Sequence, residues 1–270
     1  VVERFEASWA NEVSLFNGDS NSAEETYGFF GGFAPMREWI GARQGQTIAQ
    51  KSYAFRNRDY ESTLLVKQKD LDRDKSKLLD AYINNYAEGV VANHWEDLII
   101  DLVNTNGLCY DGQNYFDTDH VWQDSGTQQN EVDSTDLPDL NIGTATAPTA
   151  TEMANVLMSL AGHMLTFKDN KGRDVNGNAR EFIVAVSTVP LFTAATQAIN
   201  SVTLTGNTDN PLKGFMMAGF KFKPKLITRL TSATAKVRLF RTDGMLKPFL
   251  LQEEKGIEYD SLGKGSDHYF

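Results

Sequence analysis

The sequence predicts an α+β fold organised around a β-hairpin that leads into one long helix. Apolar and polar residues alternate over residues 47–55 and 60–68, as in two strands that each bury one face. Apolar residues then recur at three- and four-residue steps over residues 76–106, which is the spacing of an amphipathic helix. Further strands are predicted over residues 215–242, where phenylalanine alternates with lysine.

The chain before the hairpin predicts an extended or partly helical arm. Trp9 and Val13 lie at a helix-like spacing, and a polar run follows over residues 17–22. Residues 27–35 are aromatic and rich in glycine, a composition typical of turns in which backbones approach closely.

The turn of the predicted hairpin consists of four polar residues, Arg56, Asn57, Arg58 and Asp59. A tip without an apolar side chain has nothing to pack into its own core, so we expect it to project into solvent or onto a partner. A two-stranded element is marginal by itself in water, which favours the partner.

The predicted helix over residues 76–106 is about 45 Å long at ~1.5 Å per residue. Acidic residues over positions 70–74 precede it and offset the positive end of its dipole, and Gly107 supplies the stop. Such a helix beside a projecting hairpin indicates an elongated subunit whose neighbours complete its packing. It also fits an ordinary α+β enzyme, and the pattern leaves both interpretations open.

The second half of the chain carries clear local signals. Thr149 and Glu152 form a capping box at the start of an amphipathic helix. Residues 182–186 predict a short buried strand, and residues 189–200 predict a helix with proline in its first turn. Residues 168–178 predict a hairpin-type loop, and residues 201–211 a polar loop.

Four side chains could hold a metal ion, namely Asp111, Asp117, Asp119 and His120. Carboxylates and imidazole in a tight cluster suit a divalent cation. The spacing lacks the regular oxygen ligands and distal glutamate of a calcium loop, so plain turn chemistry is the favoured interpretation. No nucleophile elbow, phosphate loop or dinucleotide fingerprint is present. We therefore predict no catalytic residue, no bound metal and no cofactor.

Composition excludes several functional classes. A net charge of −10 disfavours a general nucleic-acid binder, because such binding depends on neutralising phosphates. Cys109 is the single cysteine, which rules out a disulfide within the chain and suits a reducing cytosol. The most apolar run, residues 182–199, is too polar to span a membrane. The chain begins with valine, so we expect a trimmed or cleaved start.

One basic stretch contrasts with this acidic chain. Residues 210–242 contain no acid and eight bases, which are Lys213, Lys221, Lys223, Lys225, Arg229, Lys236, Arg238 and Arg241. The stretch is either a solvated strand face or a surface that meets an acidic neighbour or DNA. We favour a protein neighbour over DNA, because aromatic residues for base stacking are not spread along it.

Four blocks in order carry a family resemblance. These are residues 27–28, 36–41, 53–61 and 109–120, which read YG, MREWIG, YAFRNRDYE and CYDGQNYFDTDH. Together they resemble the Mu-like phage major head subunit family, the gpT-type major capsid proteins. The resemblance covers most of the chain from about residue 24 to residue 242 and is thin between the blocks.

The resemblance implies the Hong Kong-97-type capsid fold, which is α+β. By position, residues 1–44 are the N-terminal arm, 45–74 the extended hairpin loop and 75–135 the peripheral domain with its spine helix. Residues 136–245 are the axial domain and 246–270 the return to the peripheral domain. Members of the family continue beyond the position of Phe270, so we expect this return to be truncated.

The resemblance also implies a function. The chain is expected to be the structural head protein of a Mu-like tailed phage or prophage, self-assembling into hexamers and pentamers of an icosahedral shell around double-stranded DNA. Expected partners are other copies, scaffold and portal proteins and the packaged DNA, without a membrane. Assembly in the bacterial cytoplasm and residence in the virion capsid follow. A metal-dependent enzyme using Asp111, Asp117, Asp119 and His120, or a related nanocompartment shell, is the alternative.

Overall fold

A computed structural model gives the architecture of the chain. It describes residues 8–18, 22–30, 50–64, 66–73, 77–87, 89, 93–109, 111–121, 125–204, 206, 208–256, 258 and 268–269. The described chain divides into two compact units, each assembled from separate stretches. The first contains Val1–Glu25, Ala54–Ile99 and Phe249–Phe270, and the second contains Thr26–Tyr53 and Ile100–Pro248.

The first unit joins the two ends of the chain through parallel strand pairing. Helix α1 (Trp9–Val13) begins at Ser8, whose side chain accepts a hydrogen bond from the Ala10 amide. Strand β1 (Ser14–Asn17) follows directly and pairs in parallel with β12 (Phe249–Gln252). Burial of Trp9 and Val13 anchors this arm, as their helix-like spacing predicts.

The segment expected to form the hairpin pairs differently from the prediction. Strand β3 (Gln50–Arg56) pairs with β2 (Glu24–Phe30), not with residues 60–68. Residues 57–64 contain no strand, and β4 (Val66–Lys67) pairs with β13 (His268–Tyr269). The predicted pairing of arms is therefore wrong. Positions 60–63 are all exposed, so a strand there would bury no face to compensate its ordering.

Within the range of the predicted single helix, residues 76–106, the structure describes two α-helical stretches. After α2 (Gln68–Arg73), the α-helical parts are α3 (Leu78–Tyr86) and α4 (His94–Thr105). Residues 87 and 89, which lie between these two helices, are π-helical. Residue 88 and residues 90–92 lie outside the described part of the chain, as does the block at 36–41.

The second unit contains a three-stranded sheet with helices packed on it. Strand β7 (Glu181–Val186) is central, parallel to β10 (Lys221–Leu226) and antiparallel to β11 (Arg238–Arg241). Five of the six residues of β7 are buried, as expected for a strand with neighbours on both sides. Three helices surround the sheet, α5 (Ala150–Leu165), α6 (Val189–Asn200) and α7 (Pro211–Met217).

The core of this unit is continuous and aromatic. Phe182, Met153 and Leu157 are completely buried within it. The rings of Phe182 and Phe222 stack with 5.6 Å between centroids, which joins β7 to β10. The alternation in β10 is as predicted, with Phe222 buried and Lys223 exposed.

Short strands complete the unit, and one sequence prediction needs correction there. Strands β5 (His120–Val121) and β6 (Thr127–Gln128) pair antiparallel, as do β8 (Thr203–Leu204) and β9 (Thr208–Asp209). Residues 211–217 form helix α7, not a strand or loop. The Asn210 side chain caps this helix by accepting from the Leu212 amide at 3.0 Å, and Pro211 follows it.

Candidate functional site

The most chemically suggestive segment of the sequence folds into a tight hairpin over residues 107–117. The Cys109 amide donates to the Gln113 carbonyl at 2.7 Å, and the Tyr115 amide donates to the Gly107 carbonyl at 2.8 Å. Gly112 occupies the turn with φ +88°, a conformation that residues with a Cβ rarely adopt. The hairpin is therefore held together by backbone hydrogen bonds.

Asp111, in the turn of the hairpin, is hydrogen-bonded to His120, which follows the hairpin. His120 Nδ1 lies 2.7 Å from Asp111 Oδ2, and His120 Nε2 lies 3.3 Å from the Tyr115 carbonyl oxygen. The Asp111 side chain is 4% exposed. Both ring nitrogens of His120 thus face oxygen acceptors within the chain.

Asp117 and Asp119 are also used by the hairpin itself. Asp117 accepts from the Thr118 amide at 2.7 Å and from the Asn114 amide at 3.2 Å, and these hydrogen bonds hold its pKa below the ordinary value. Desolvation and a hydrogen bond with Asp117 raise the pKa of Asp119. Asp119 accepts from the Gln113 amide group at 2.9 Å.

The four predicted metal candidates are therefore brought together, but as a set of hydrogen-bonded turn residues. Within the described part of the chain, no three His, Cys, Asp or Glu side chains are arranged to hold a metal ion. The geometry gives no support to the metal-dependent enzyme.

A second hairpin, residues 167–177, repeats the same backbone pattern with different side chains. Asp169 takes the place of Cys109, and its amide donates to the Arg173 carbonyl at 2.8 Å. Gly172 occupies the turn with φ +73°. Because the same geometry forms without the aspartate and histidine set of the first hairpin, that set is not needed to shape such a turn.

Two side-chain amides connect these hairpins through the segment 128–131. Gln128 exchanges two hydrogen bonds with the backbone of Lys168, each 2.7 Å long. Asn130 donates to the Tyr115 carbonyl at 2.7 Å and accepts from the Asp117 amide at 2.8 Å. The sequence does not predict these links, because an amide side chain carries no signal of its partner.

Tyr115 adds a partly buried link within the second unit. Its hydroxyl donates to the Pro248 carbonyl at 3.3 Å. Burial raises the pKa of Tyr115 above its ordinary value, with a smaller contribution from Cys109. Tyr115 is therefore a neutral hydrogen-bond donor that links the hairpin to Pro248, the last residue of the second unit.

At least three of the eight bases of the basic stretch are paired with acids outside it. The Lys221 ammonium lies 2.6 Å from Glu181, and the Lys236 ammonium lies 2.5 Å from Glu131. Arg241 Nε lies 2.7 Å from an Asp243 oxygen. Part of the predicted basic surface is thus internally paired, which reduces its capacity to attract an acidic neighbour or DNA.

The four residues predicted as the hairpin tip, Arg56–Asp59, begin at the last residue of β3 and do not join two paired strands. We keep the name tip for them, and they do not behave alike. Arg56, Arg58 and Asp59 are exposed, whereas Asn57 is partly buried. The side-chain amide of Asn57 donates to the Ser22 carbonyl and to the Glu254 carboxylate, both at 2.9 Å.

Asn57 is anchored further by its remaining polar groups. Its side-chain oxygen accepts from Gln252 at 2.7 Å, and its backbone amide donates to the Ala23 carbonyl at 3.0 Å. Asn57 therefore joins three stretches of the first unit. Its side chain is engaged within its own chain, and the three charged neighbours remain available at the surface.

Comparison with known families gives one match that covers half of the chain. The family described as "Mu-like prophage major head subunit gpT" matches residues 3–145. The "Major capsid protein" of Escherichia phage Mu is 28% identical over 104 residues, or 38% of this chain and 34% of that protein. The "Mu-like prophage FluMu major head subunit" of Haemophilus influenzae is 30% identical over 132 residues, or 45% of this chain and 42% of that protein. The chain thus matches about two-fifths or less of each relative's length.

Solved structures extend the likeness to most of the chain. The structure titled "Bacteriophage JBD30 capsid" aligns with a TM-score of 0.63 at 19% identity, covering 83% of this chain and 91% of that one. The JBD30 capsid decorated with minor capsid protein trimers aligns with a TM-score of 0.57 at 21% identity, covering 81% and 90%. The predicted α+β fold of the Hong Kong-97 type is confirmed. Among the described residues, no helix is both long and apolar enough to cross a membrane.

Proposed function

The chain belongs to the Mu-like prophage major head subunit gpT family, and from this premise we propose that it is the structural head subunit of a Mu-like phage or prophage. Its copies assemble into the hexamers and pentamers of an icosahedral shell that encloses double-stranded DNA. The main support for this proposal is the family match over residues 3–145, in a chain with a capsid fold. Its named relatives are structural capsid proteins, not enzymes.

The physical form of the first unit supports assembly. Tyr60, Leu78 and Tyr82 are 54%, 61% and 71% exposed. Large apolar side chains exposed on a protein surface often mark a site of contact with another protein. Heterologous contacts between identical copies close into rings and, on a curved lattice, into a shell. A shell subunit therefore has a use for apolar surface that a monomeric enzyme does not.

The domain assignment of the proposal follows the predicted boundaries. We assign residues 1–44 to the arm, 45–74 to the extended loop, 75–135 to the peripheral domain, 136–245 to the axial domain and 246–270 to the return. The second compact unit, which includes Ile100–Pro248, contains the whole of the proposed axial domain. The pairing of β1 with β12 supports a return of the chain to its N-terminal part.

The proposed partners are other copies of the chain, scaffold and portal proteins and packaged DNA. A subunit with a net charge of −10 has little general affinity for phosphates. This suits a shell that encloses DNA without binding it tightly. The proposed location is the virion capsid, after assembly in the host cytoplasm.

The proposed subunit contact is the tip at Arg56, Asn57, Arg58 and Asp59. We assign the contact itself to the exposed charged residues, with Arg56 or Arg58 paired to a carboxylate of the neighbouring copy. Asn57 has a positioning role, because its hydrogen bonds to Ser22 and Gln252 fix the tip within the first unit.

The test is electron microscopy of the full-length protein expressed together with its scaffold. Shells, rings or tubes of regular diameter are the expected products, and their reconstruction would give the lattice number. A protein that stays strictly monomeric under all such conditions contradicts the proposed function. Purified protein without scaffold is the control that separates intrinsic from assisted assembly.

A further inference from the structure

Two methionines are the most exposed large apolar side chains in the described part of the chain. Met217 is 90% exposed and Met245 is 92% exposed. Leu246, next to Met245, is 69% exposed. Single exposed apolar residues are ordinary, but two nearly bare methionines within one unit need a further reason if they lie together.

Strand register brings both methionines to one end of the three-stranded sheet. Lys221, at the start of β10, is opposite Glu181 at the start of β7. Strand β11 runs the other way and ends there, since the Thr242 amide donates to the Glu181 carbonyl. Met217 precedes β10 and Met245 follows β11, so the strands that carry them are about 10 Å apart at this end.

The turn that carries Met245 is held firmly. Asp243 accepts from Arg241 Nε and from the Arg180 amide, each at 2.7 Å. A Cβ added to Gly244 would lie 2.9 Å from the Leu246 carbonyl oxygen, so the backbone is closely folded at that point. Met245 is therefore displayed by an ordered turn.

Met217 is displayed by the last turn of α7. Its neighbours Phe215 and Met216 pack against the core of the unit, and Phe215 stacks on Phe220 with 3.9 Å between centroids. Gly219 then ends the turn with φ +98°. Because the core side chains fix the helix rotation, Met217 is directed away from the core.

Some of the charges around this pair are balanced within the chain. Lys221 pairs with Glu181 at 2.6 Å, and Arg241 pairs with Asp243 at 2.7 Å. The guanidinium of Arg180 lies 4.6 Å from the Phe220 ring centroid. The side chains of Arg180 and of Lys247, which is next to Leu246, donate only to carbonyl oxygens and have no acid partner among the described residues, so this surface carries excess positive charge. A second copy, whose net charge is −10, is therefore attracted to this surface although the copies repel each other as a whole.

From this arrangement we propose that Met217, Met245 and Leu246 form an apolar docking surface for a second copy of this chain. The proposal rests on the proposed function and adds a contact in the second unit, separate from the tip at Arg56–Asp59. Apolar side chains that are carried by an ordered backbone and surrounded by polar groups have the anatomy of an interface core. Methionine suits copies that meet at slightly different angles, because its side chain is flexible and polarizable.

Methionine oxidation tests the contact directly. Shells purified without scaffold or decoration proteins, and dissociated subunits, are treated with dilute hydrogen peroxide and analysed by peptide mass spectrometry. We expect oxidation of Met217 and Met245 to be roughly tenfold slower in shells, since sulfoxide formation follows exposure. Met153, which is completely buried, is the internal control and should be unreactive in both samples.

Polar variants give an independent readout. The pair Met217→Gln and Met245→Gln keeps side-chain length and should raise the concentration needed for assembly roughly tenfold, while the melting temperature of the subunit is unchanged. Val175→Gln with Val202→Gln is the matched control, since those valines are 55% and 73% exposed in the same unit. The control pair should assemble as the wild type does.

The outcomes separate the contact from the proposed function. Equal oxidation of both methionines in shells and subunits, or normal assembly of the double variant, overturns the contact and leaves the proposed function standing. Protection that requires added scaffold assigns the surface to another protein and also overturns it. If the wild-type chain forms no assembly under any condition, the proposed function fails and the contact fails with it.

Discussion

The guanidinium of Arg238 lies 3.9 Å from the centroid of the Phe116 ring. This contact joins the edge strand β11 to the hairpin at residues 107–117. Arg238 Nη1 lies 4.0 Å from the carboxylate of Glu131. That carboxylate is already paired with the Lys236 ammonium at 2.5 Å. Burial lowers the pKa of Arg238, and its Nε has no hydrogen-bond partner among the described residues.

The first prediction follows from this poorly compensated charge. Arg238→Met keeps the contact area on Phe116 and removes the desolvation cost, so we expect the free energy of unfolding to stay within ~1 kcal/mol of the wild type or to rise. Arg238→Ala removes the packing as well and should lower it by roughly 2 kcal/mol. Urea unfolding followed by tryptophan fluorescence measures both. A methionine variant as unstable as the alanine variant would show that the charge itself stabilises the fold.

The second prediction concerns Asn57. Replacing it with alanine leaves the Ser22 carbonyl and the Gln252 amide without this partner, at an expected cost of about 1–2 kcal/mol. Asn57→Asp should be worse at neutral pH, because its carboxylate would face Glu254, and should recover in acid as the carboxyls protonate. Amide hydrogen exchange at position 57, whose amide donates to Ala23, reports the local effect. Unchanged exchange in both variants would contradict the anchoring role.

The third prediction uses the capping box of α5. Hydrogen bonds from the Thr149 amide and then the Gly143 amide hold the pKa of Glu152 below its ordinary value of about 4.5. A depressed folded-state pKa gives a contribution that is complete above the unfolded value and is lost as the pH falls through the folded value. The wild type should therefore exceed Glu152→Gln in stability at pH 7, and the difference should vanish in acid. Thermal melts of both proteins between neutral and acid pH measure this difference.

Thr149→Ala is the companion variant for the same cap. Loss of the side chain that accepts from the Glu152 amide at 3.2 Å should cost about 1 kcal/mol at neutral pH. Thr149→Ser keeps the acceptor and is the control, with stability close to that of the wild type. A serine variant as unstable as the alanine variant would point to lost methyl packing instead of a lost cap.

Elements with local signals could be predicted from the sequence, and long-range pairing could not. The capping box at Thr149 and the buried strand Glu181–Val186 are confirmed, because caps and apolar runs act over a few residues. The partner of β3 was missed because alternation identifies a strand without naming its neighbour. The acids around Asp111 were ambiguous for a related reason, since carboxylates that accept backbone hydrogen bonds and carboxylates that bind metal share the same composition.

The last prediction concerns the charged tip. Arg56 and Arg58 are exposed, and the proposal pairs one of them with a carboxylate of a neighbouring copy. Arg56→Glu with Arg58→Glu reverses the charge at every copy of the contact. We expect assembly to fail or to become dependent on salt, because like charges then meet and salt screens their repulsion. Sedimentation and electron microscopy over a series of salt concentrations measure the outcome.

Matched variants make this test specific. Lys171→Glu with Arg173→Glu produces the same change in net charge at two exposed bases of the second hairpin, outside the tip, so it controls for the overall charge of the subunit. An exposed ion pair contributes only ~0–1 kcal/mol, so the folded subunit should melt at the wild-type temperature in both variants. The effect on assembly is larger because a shell repeats the contact at every subunit. Normal shells from the tip variant at ordinary salt would remove these arginines from the interface, whereas equal failure of both double variants would assign the effect to net charge.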